Sequence, residues 1–255
     1  MNCAFKVVVP ARYESSRLPG KPLLNIAGKP MIQHVYEKAV LSGAEEVIIA
    51  TDDKRIEEAC DIFSAQVCMT DTEHQSGTDR IAEVLANKQW QDDTIIVNVQ
   101  GDEPLIPPEL IQQVANDLSD HPQASIATLC TPVHTSAELL DPHVVKVVMD
   151  KSGNALYFSR APIPWDRDAF EINTDTLPEG RQHYRHIGLY AYRASFIREY
   201  SQMQICDIER TESLEQLRAL WNGYVIHVST TNTPPAHGVD TEADLQRVNN
   251  LLSFE

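Results

Sequence analysis

Arg12, Arg17 and Lys21 share one short loop directly behind an apolar run, Phe5-Lys-Val-Val-Val-Pro10. Arginine forks onto phosphate oxygens, and lysine supplies a mobile point charge. Pro19 and Pro22 stiffen the chain around Lys21 and Gly20 permits a tight turn, which favours a shaped receptacle over a solvated turn. The whole chain is acidic, with 21 Lys and Arg against 37 Asp and Glu and a formal charge of -16. A basic loop in such a chain points to a small anionic ligand, read here as a nucleoside triphosphate. The overall charge argues against nucleic acid or acidic membrane surfaces as partners.

Asp102 follows Thr94-Ile-Ile-Val-Asn-Val-Gln100, the clearest buried-strand pattern in the chain. In open α/β sheets ligands gather at the carboxyl ends of strands, so Asp102 would face the same crevice as the basic loop. A carboxylate there repels a bare triphosphate. With Mg2+, which takes carboxylate and phosphate oxygens together, it becomes useful. Asp240 in a late glycine-containing loop is the second candidate. The competing readings are a turn aspartate at 102 and a helix cap at 240. Ser76, Gly77 and Thr78 precede a helix and can offer its N-terminal amides, with Arg80 in the first turn. Arg160, Arg167, Arg185 and His186 are candidates to receive an anionic co-substrate. Glu215 and Gln216 interrupt a helix whose other face is Ile208, Leu214, Leu217 and Leu220.

Several chemistries are excluded. No G-x-G-x-x-G follows the first strand, and no G-x-x-x-x-G-K-S/T occurs, so neither a dinucleotide fingerprint nor a standard P-loop is present. The five cysteines form no C-x-x-C pair, and His183 and His186 share no helical face, so neither a zinc site nor a disulfide framework is read. Such cysteine usage suits a reducing cytosol. No apolar stretch nears the roughly 20 residues that span a bilayer. No dedicated general base stands out, so a metal-activated nucleophile is the expected chemistry.

The elements that must position these residues alternate. Strand 5–10 leads through a loop, 11–29, to a helix opened by Pro30 and closed near Gly43. Strand 47–51, helix 54–63 and strand 66–70 follow, then a helix through Ile81 and Leu85, strand 94–100, helix 107–118 and strand 124–131. After residue 132 the rhythm changes. Residues 144–150 and 155–159 read as a hairpin, and 169–182 as irregular, mobile chain. Strand 185–193, helices 194–201 and 208–220, strand 224–229 and a closing helix complete the order. Trp165 would cover the pocket or a subunit contact. The pattern predicts an α/β fold: a Rossmann-like mixed, mostly parallel sheet with flanking helices and a smaller antiparallel flap. The competing functions are a sugar or alditol nucleotidyltransferase, a metal-dependent glycosyltransferase and a non-catalytic nucleotide-binding module.

At this point the chain resembles the 3-deoxy-manno-octulosonate cytidylyltransferases, or CMP-KDO synthetases. The shared stretches include Val9-Pro-Ala-Arg-Tyr13, Ser16-Arg-Leu-Pro-Gly-Lys-Pro-Leu23, His74-Gln-Ser-Gly-Thr78, Asn98-Val-Gln-Gly-Asp-Glu-Pro104, Ile163-Pro-Trp-Asp-Arg167, Arg185-His-Ile-Gly188, Glu215-Gln-Leu-Arg218 and Gly238-Val-Asp-Thr241. The opening motif is common to related sugar nucleotidyltransferases; Ile-Pro-Trp-Asp-Arg and Gly-Val-Asp-Thr are narrower. The resemblance implies a nucleotide-diphospho-sugar transferase fold over 1–255, with 1–131 as the nucleotide half, 132–232 for sugar and dimer contacts, and 233–255 as metal loop and closing helix. It implies that CTP and 3-deoxy-manno-octulosonate give the CMP-sugar and pyrophosphate. Arg12 and Lys21 would then bind triphosphate and Asp102 and Asp240 would hold Mg2+, with Arg12, Lys21 and Asp102 as the catalytic set. Ala11, Ser76 and Arg80 would lie near the cytidine. Gln100, Tyr190, Glu215, Gln216 and His186 would lie near the sugar, with Arg160 or Arg167 toward its carboxylate. It further implies a cytoplasmic homodimer serving lipopolysaccharide synthesis.

Overall fold

Val7, Val8 and Val9 are fully buried, because β1 (Lys6–Ala11) runs through the middle of the molecule with a core on either side. A strand covered on both faces needs a continuous apolar run, which Val7 to Val9 supplies. The computed structural model describes residues 3–14, 18–74, 76–178, 180–233, 235–236 and 238–253. After β1 come a short 3-10 turn (Lys21–Leu23), a small hairpin of β2 (Asn25–Ile26) and β3 (Lys29–Pro30), α1 (Met31–Leu41), β4 (Glu46–Thr51), α2 (Lys54–Ile62) and β5 (Gln66–Met69). They are followed by α3 (Gly77–Lys88), β6 (Ile95–Asn98), α4 (Pro108–Asp120), β7 (Ile126–Pro132), α5 (Ser136–Leu140), β8 (Lys146–Met149) and β9 (Ala155–Ser159). The chain closes with α6 (Arg167–Ile172), β10 (Tyr184–Arg193), α7 (Ala194–Tyr200), α8 (Asp207–Glu212), α9 (Gln216–Trp221), β11 (Ile226–Thr230) and α10 (Glu242–Leu252).

Nine of these strands form one mixed sheet, in the order β11-β7-β10-β6-β1-β4-β5, with β8 and β9 branching from β10. β5, β4, β1 and β6 are parallel, while β10 runs antiparallel to both β6 and β7. Alternation along each strand divides the core. Val7, Val9, Ile49 and Val97 face α1, α2 and α4; Val8, Ile48 and Ile96 face α3, α7 and α9. Chain order runs from β1 outward to β4 and β5, then returns to β6 on β1's other side. That reversal opens a crevice at the carboxyl ends of β1 and β6, where open α/β sheets bind ligands. The mixed sheet and antiparallel flap are as expected from the pattern.

Three local expectations are corrected. Residues 25–29, read as loop, and Pro30, read as the first residue of a helix, form the β2–β3 hairpin, whose turn residues Ala27 and Gly28 both have positive φ and whose Ala27 amide donates to Asn249 Oδ1. The helix expected over 208–220 is two helices. Ser213 adopts φ 52, the left-handed region, and ends α8. The apolar spacing continues across that break, so periodicity alone hides it. Residues 167–172, partly inside the segment read as irregular, are helical: Asp166 caps α6 by accepting from Ala169 N, and Phe170 is buried beside Val133 and Leu139. Among the described residues no helix is long and apolar enough to cross a membrane, and all five cysteines are free thiols.

At the sheet edge His227 of β11 stacks on His121, with ring centroids 3.5 Å apart. Burial, reinforced by the neighbouring His121, pushes His227 down to about 4 from the ordinary 6.5. The folded state therefore refuses a proton that the unfolded chain accepts below pH 6.5, and stability falls as pH drops toward 4. His227→Asn should remove about 1–2 kcal/mol of the loss seen near pH 5. Urea unfolding at neutral pH and near pH 5 measures the difference, and parallel declines in both proteins would refute it.

Candidate active site

The loops that leave β1 and β6 meet because Gly101 has no side chain: a Cβ there would sit 2.9 Å from the Pro10 carbonyl oxygen. Gly238 allows a second close approach, with a Cβ position 3.1 Å from the Asp102 carbonyl oxygen. Val239 N then donates to that oxygen at 2.8 Å and pins the late loop against the β6 loop. Thr241, not Asp240, caps α10, in a reciprocal capping box with Asp244. The Asp240 carboxylate consequently lies outside the cap, in the crevice.

Lys21 joins these loops. Its Nζ donates to Asp102 Oδ2 at 2.7 Å and to Asp240 Oδ1 at 3.0 Å. Burial works against the ammonium, but the hydrogen bonds and charges of the two carboxylates outweigh it and raise its pKa. Arg12 donates to the His74 carbonyl, tying the β1 loop to the segment before α3. A cavity of about 360 Å3 opens here, lined by Ala11, Arg12, Lys21, Gln100, Asp102 and Asp240 among others. Arg17 lies outside the described residues.

Two carboxylates converging on one cation form a seat of the right chemistry for a hard divalent ion. Among the described residues no group of three or more His, Cys, Asp and Glu could hold a metal ion. Two carboxylates are a donor set that fits Mg2+, which is held by one or two carboxylates and completes its shell with phosphate oxygens and water. Three or four nitrogen or sulfur ligands, as structural zinc requires, are not offered.

A second cavity, of about 260 Å3, lies beside the first and shares Gly77 and Gln100 with it. Tyr190, Tyr192, Glu215 and Gln216 line it, with Asn98 and Phe196. The break at Ser213 places Glu215 and Gln216 on its wall. Gln216 is buried, and its Nε2 has no hydrogen-bond partner among the described residues. Burial raises the pKa of Glu215, whose Oε2 accepts from Thr78 Oγ1 at 3.3 Å. A register shift in β10 between Ile187 and Tyr190 carries the chain past a bulge, and the Tyr190 and Tyr192 rings stack beyond it at 5.7 Å. His186 sits next to Tyr190, and its Nε2 is 3.0 Å from Thr128 Oγ1. Burial pushes the His186 pKa down to about 3, so this imidazole is neutral at physiological pH.

Ala11, Arg12, Lys21, Asp102 and Asp240 thus line one cavity, Tyr190, Glu215 and Gln216 the other, and Gln100 both. Six sequence-predicted residues stand apart. Arg185, paired with Glu138 at 3.4 Å, and His186 line a different cavity. Arg80 is fully buried and gives Nη2 to Asp52 Oδ2 at 2.6 Å and Nη1 to Thr70, so its charge serves the fold beneath the crevice. Ser76 is spent on the α3 cap with Asp79. Arg160 donates to the carbonyls of Glu212 and Pro142, bracing the turn before α9 instead of facing a cavity. Arg167 is exposed on α6 and pairs with Asp168 at 2.7 Å. Asp52, directly after β4, is the partner Arg80 requires. Asn98 and Tyr192 were missed as pocket residues, whereas Gly77 and Thr78, read as flanking a ligand, do line the second cavity. The Tyr-x-Tyr alternation at 190–192 was the available signal, since residues two apart share a strand face.

Residues 6–229 match the family model described as cytidylyltransferase. A 3-deoxy-manno-octulosonate cytidylyltransferase from Nitrosococcus oceani is 58% identical over 98% of this chain and 96% of its own length. This chain belongs to that family. Its Pseudomonas syringae counterpart is 57% identical, covering 99% of both chains. The solved structure of a CMP:2-keto-3-deoxy-manno-octonic acid synthetase complexed with CTP superposes with a TM-score of 0.89, at 43% identity and 99% coverage of both chains. Membership in the 3-deoxy-manno-octulosonate cytidylyltransferases makes the chain a nucleotidyltransferase and the doubly lined crevice its candidate active site.

Proposed function

We propose that this enzyme transfers the CMP group of CTP to the anomeric hydroxyl of 3-deoxy-manno-octulosonate, releasing pyrophosphate and supplying an activated sugar acid for lipopolysaccharide synthesis. One observation carries the reading. A cationic, carboxylate-bearing cavity abuts a second one lined by tyrosines and amides, and the two share Gly77 and Gln100. Such a pair can hold a triphosphate and a polyhydroxylated acceptor side by side.

The hydroxyl oxygen forms a bond to the α-phosphorus, the bond from that phosphorus to the pyrophosphate oxygen breaks, and the hydroxyl proton passes to solvent. In this reading catalysis is positioning and charge neutralisation, as in other transfers of phosphorus groups. Arg12 and Lys21 bind the triphosphate and offset charge on the departing pyrophosphate. Asp102 and Asp240 would hold Mg2+. Bound there, the ion neutralises phosphate charge and lowers the pKa of a nearby hydroxyl. Gln100, Tyr190, Glu215 and Gln216 orient the sugar acid through its hydroxyls, and the neutral His186 packs behind Tyr190. The Gln216 amide left without a partner is matched to a ligand oxygen.

Pyrophosphate release, measured across the four common nucleoside triphosphates and several sugar acids, tests class, base and acceptor together. Release with CTP and the eight-carbon sugar acid is expected, and release with another pair but not with this one would overturn the assignment. Gln216→Leu should raise the KM for the sugar acid by about tenfold, the worth of one hydrogen bond in a closed pocket, and leave the KM for CTP unchanged. An effect confined to CTP would mean that the two cavities have been exchanged. A homodimer working in the cytoplasm completes the proposal. Sedimentation of the purified enzyme measures the first, and cell fractionation the second.

A further inference from the structure

The Lys21 ammonium occupies the point on which Asp102 and Asp240 converge, at 2.7 and 3.0 Å. It is the least exposed of the three, at 13% against 35% and 52%. A divalent ion bound by the same carboxylates cannot share that point with an ammonium. The backbone beneath Lys21 is fixed. Gly20 holds φ 69 with the Tyr13 ring 3.1 Å from its Cβ position, Pro22 is buried, and Leu23 N donates to the Gly20 carbonyl at 2.8 Å. Only the four-carbon stem of the lysine is free to swing.

We propose that Lys21 is a stand-in cation: it holds Asp102 and Asp240 together without metal and vacates their seat only when a triphosphate offers it new anionic partners. Metal entry and nucleotide binding are thereby coupled within this chain. With the lysine in place, two carboxylates and one ammonium carry a net charge of -1. An ion entering alone would evict the ammonium and leave it unpaired. Entering with a triphosphate, it displaces the ammonium onto phosphate oxygens, and every charge keeps an opposite neighbour. The seat stays closed to metal that arrives without substrate.

This rests on the reading of Asp102 and Asp240 as metal carboxylates, and the test separates the two. Mn2+ binding to the full chain is followed by the paramagnetic signal of the free ion, with and without CTP, for wild type, Lys21→Met, Lys21→Gln and Asp102→Asn. Without nucleotide, both Lys21 variants should bind Mn2+ at least about tenfold more tightly than wild type, since one repelling charge at contact distance is gone. They should also melt lower than wild type in chelator and gain more melting temperature on adding Mn2+. Equal Mn2+ affinity of wild type and both Lys21 variants without nucleotide would overturn the proposal. If wild type with CTP takes up no more Mn2+ than CTP alone, or Asp102→Asn takes up as much as wild type, the carboxylate reading fails and the proposal with it.

Discussion

Asp102→Asn should lower pyrophosphate release by about 10²–10³-fold, the loss typical of removing one preorganised charge-stabilising group. The side chain keeps its shape, and its remaining oxygen can still accept from Lys21, so the β6 loop is retained. The negative charge is lost, and with it half of the two-carboxylate donor set. The Lys21–Asp102 contact is partly exposed, so its loss should cost at most about 1 kcal/mol of stability. Urea unfolding and turnover, measured on the same preparation, separate the two effects. If these carboxylates hold magnesium as proposed, raising its concentration should recover part of the rate, because Asp240 alone would bind the ion more weakly. Near-normal turnover at the original magnesium concentration would remove Asp102 from the site.

Arg218→Leu has the largest expected effect on the fold. Arg218 grips Glu209 through both carboxylate oxygens, Nη2 at 2.5 Å and Nε at 2.8 Å, and both residues are buried. The guanidinium also lies over the Tyr200 ring at 4.4 Å. Removing it leaves the Glu209 carboxylate buried and unpaired, at a cost of about 3–5 kcal/mol. The same clamp joins α8 to α9 across the break at Ser213, and Tyr200 Oη donates to the Glu215 carbonyl at 3.1 Å. A loosened clamp therefore shifts the cavity wall, and the KM for the sugar acid should rise with little change for CTP. Denaturant midpoints measure the first effect. Glu209→Leu combined with Arg218→Leu should recover much of the lost stability, since no charge is then stranded. An unchanged midpoint for the single variant would contradict the argument.

Lys21 and Asp102 were legible in the sequence because each follows an unmistakable buried strand. The topology of such sheets brings strand ends to one edge. The apolar runs at 5–10 and 94–100 thus announced both the elements and the place where their loops meet. Arg80 was not legible in the same way. Its nearness to Ser76 and Gly77 suggested a ligand contact, but its partners, Asp52 and Thr70, come from other elements and appear only once the chain is folded. Arg160 misled for a related reason. A lone arginine reads as an anion receptor, whereas here it is consumed by the backbone carbonyls of Glu212 and Pro142.

What the sequence determined by itself is the alternation of buried strands and amphipathic helices, the cationic loop behind β1 and the carboxylate behind β6. These depend on residues close in the chain and on periodicity, and local physics suffices to read them. Only the tertiary structure decided that Asp240 reaches the Lys21 ammonium, that the chain breaks at Ser213 to turn Gln216 into a cavity, and that the two cavities share Gly77 and Gln100. Each depends on a contact between distant segments. The spacing of residues along a chain carries no record of which distant group will claim a side chain's hydrogen bonds.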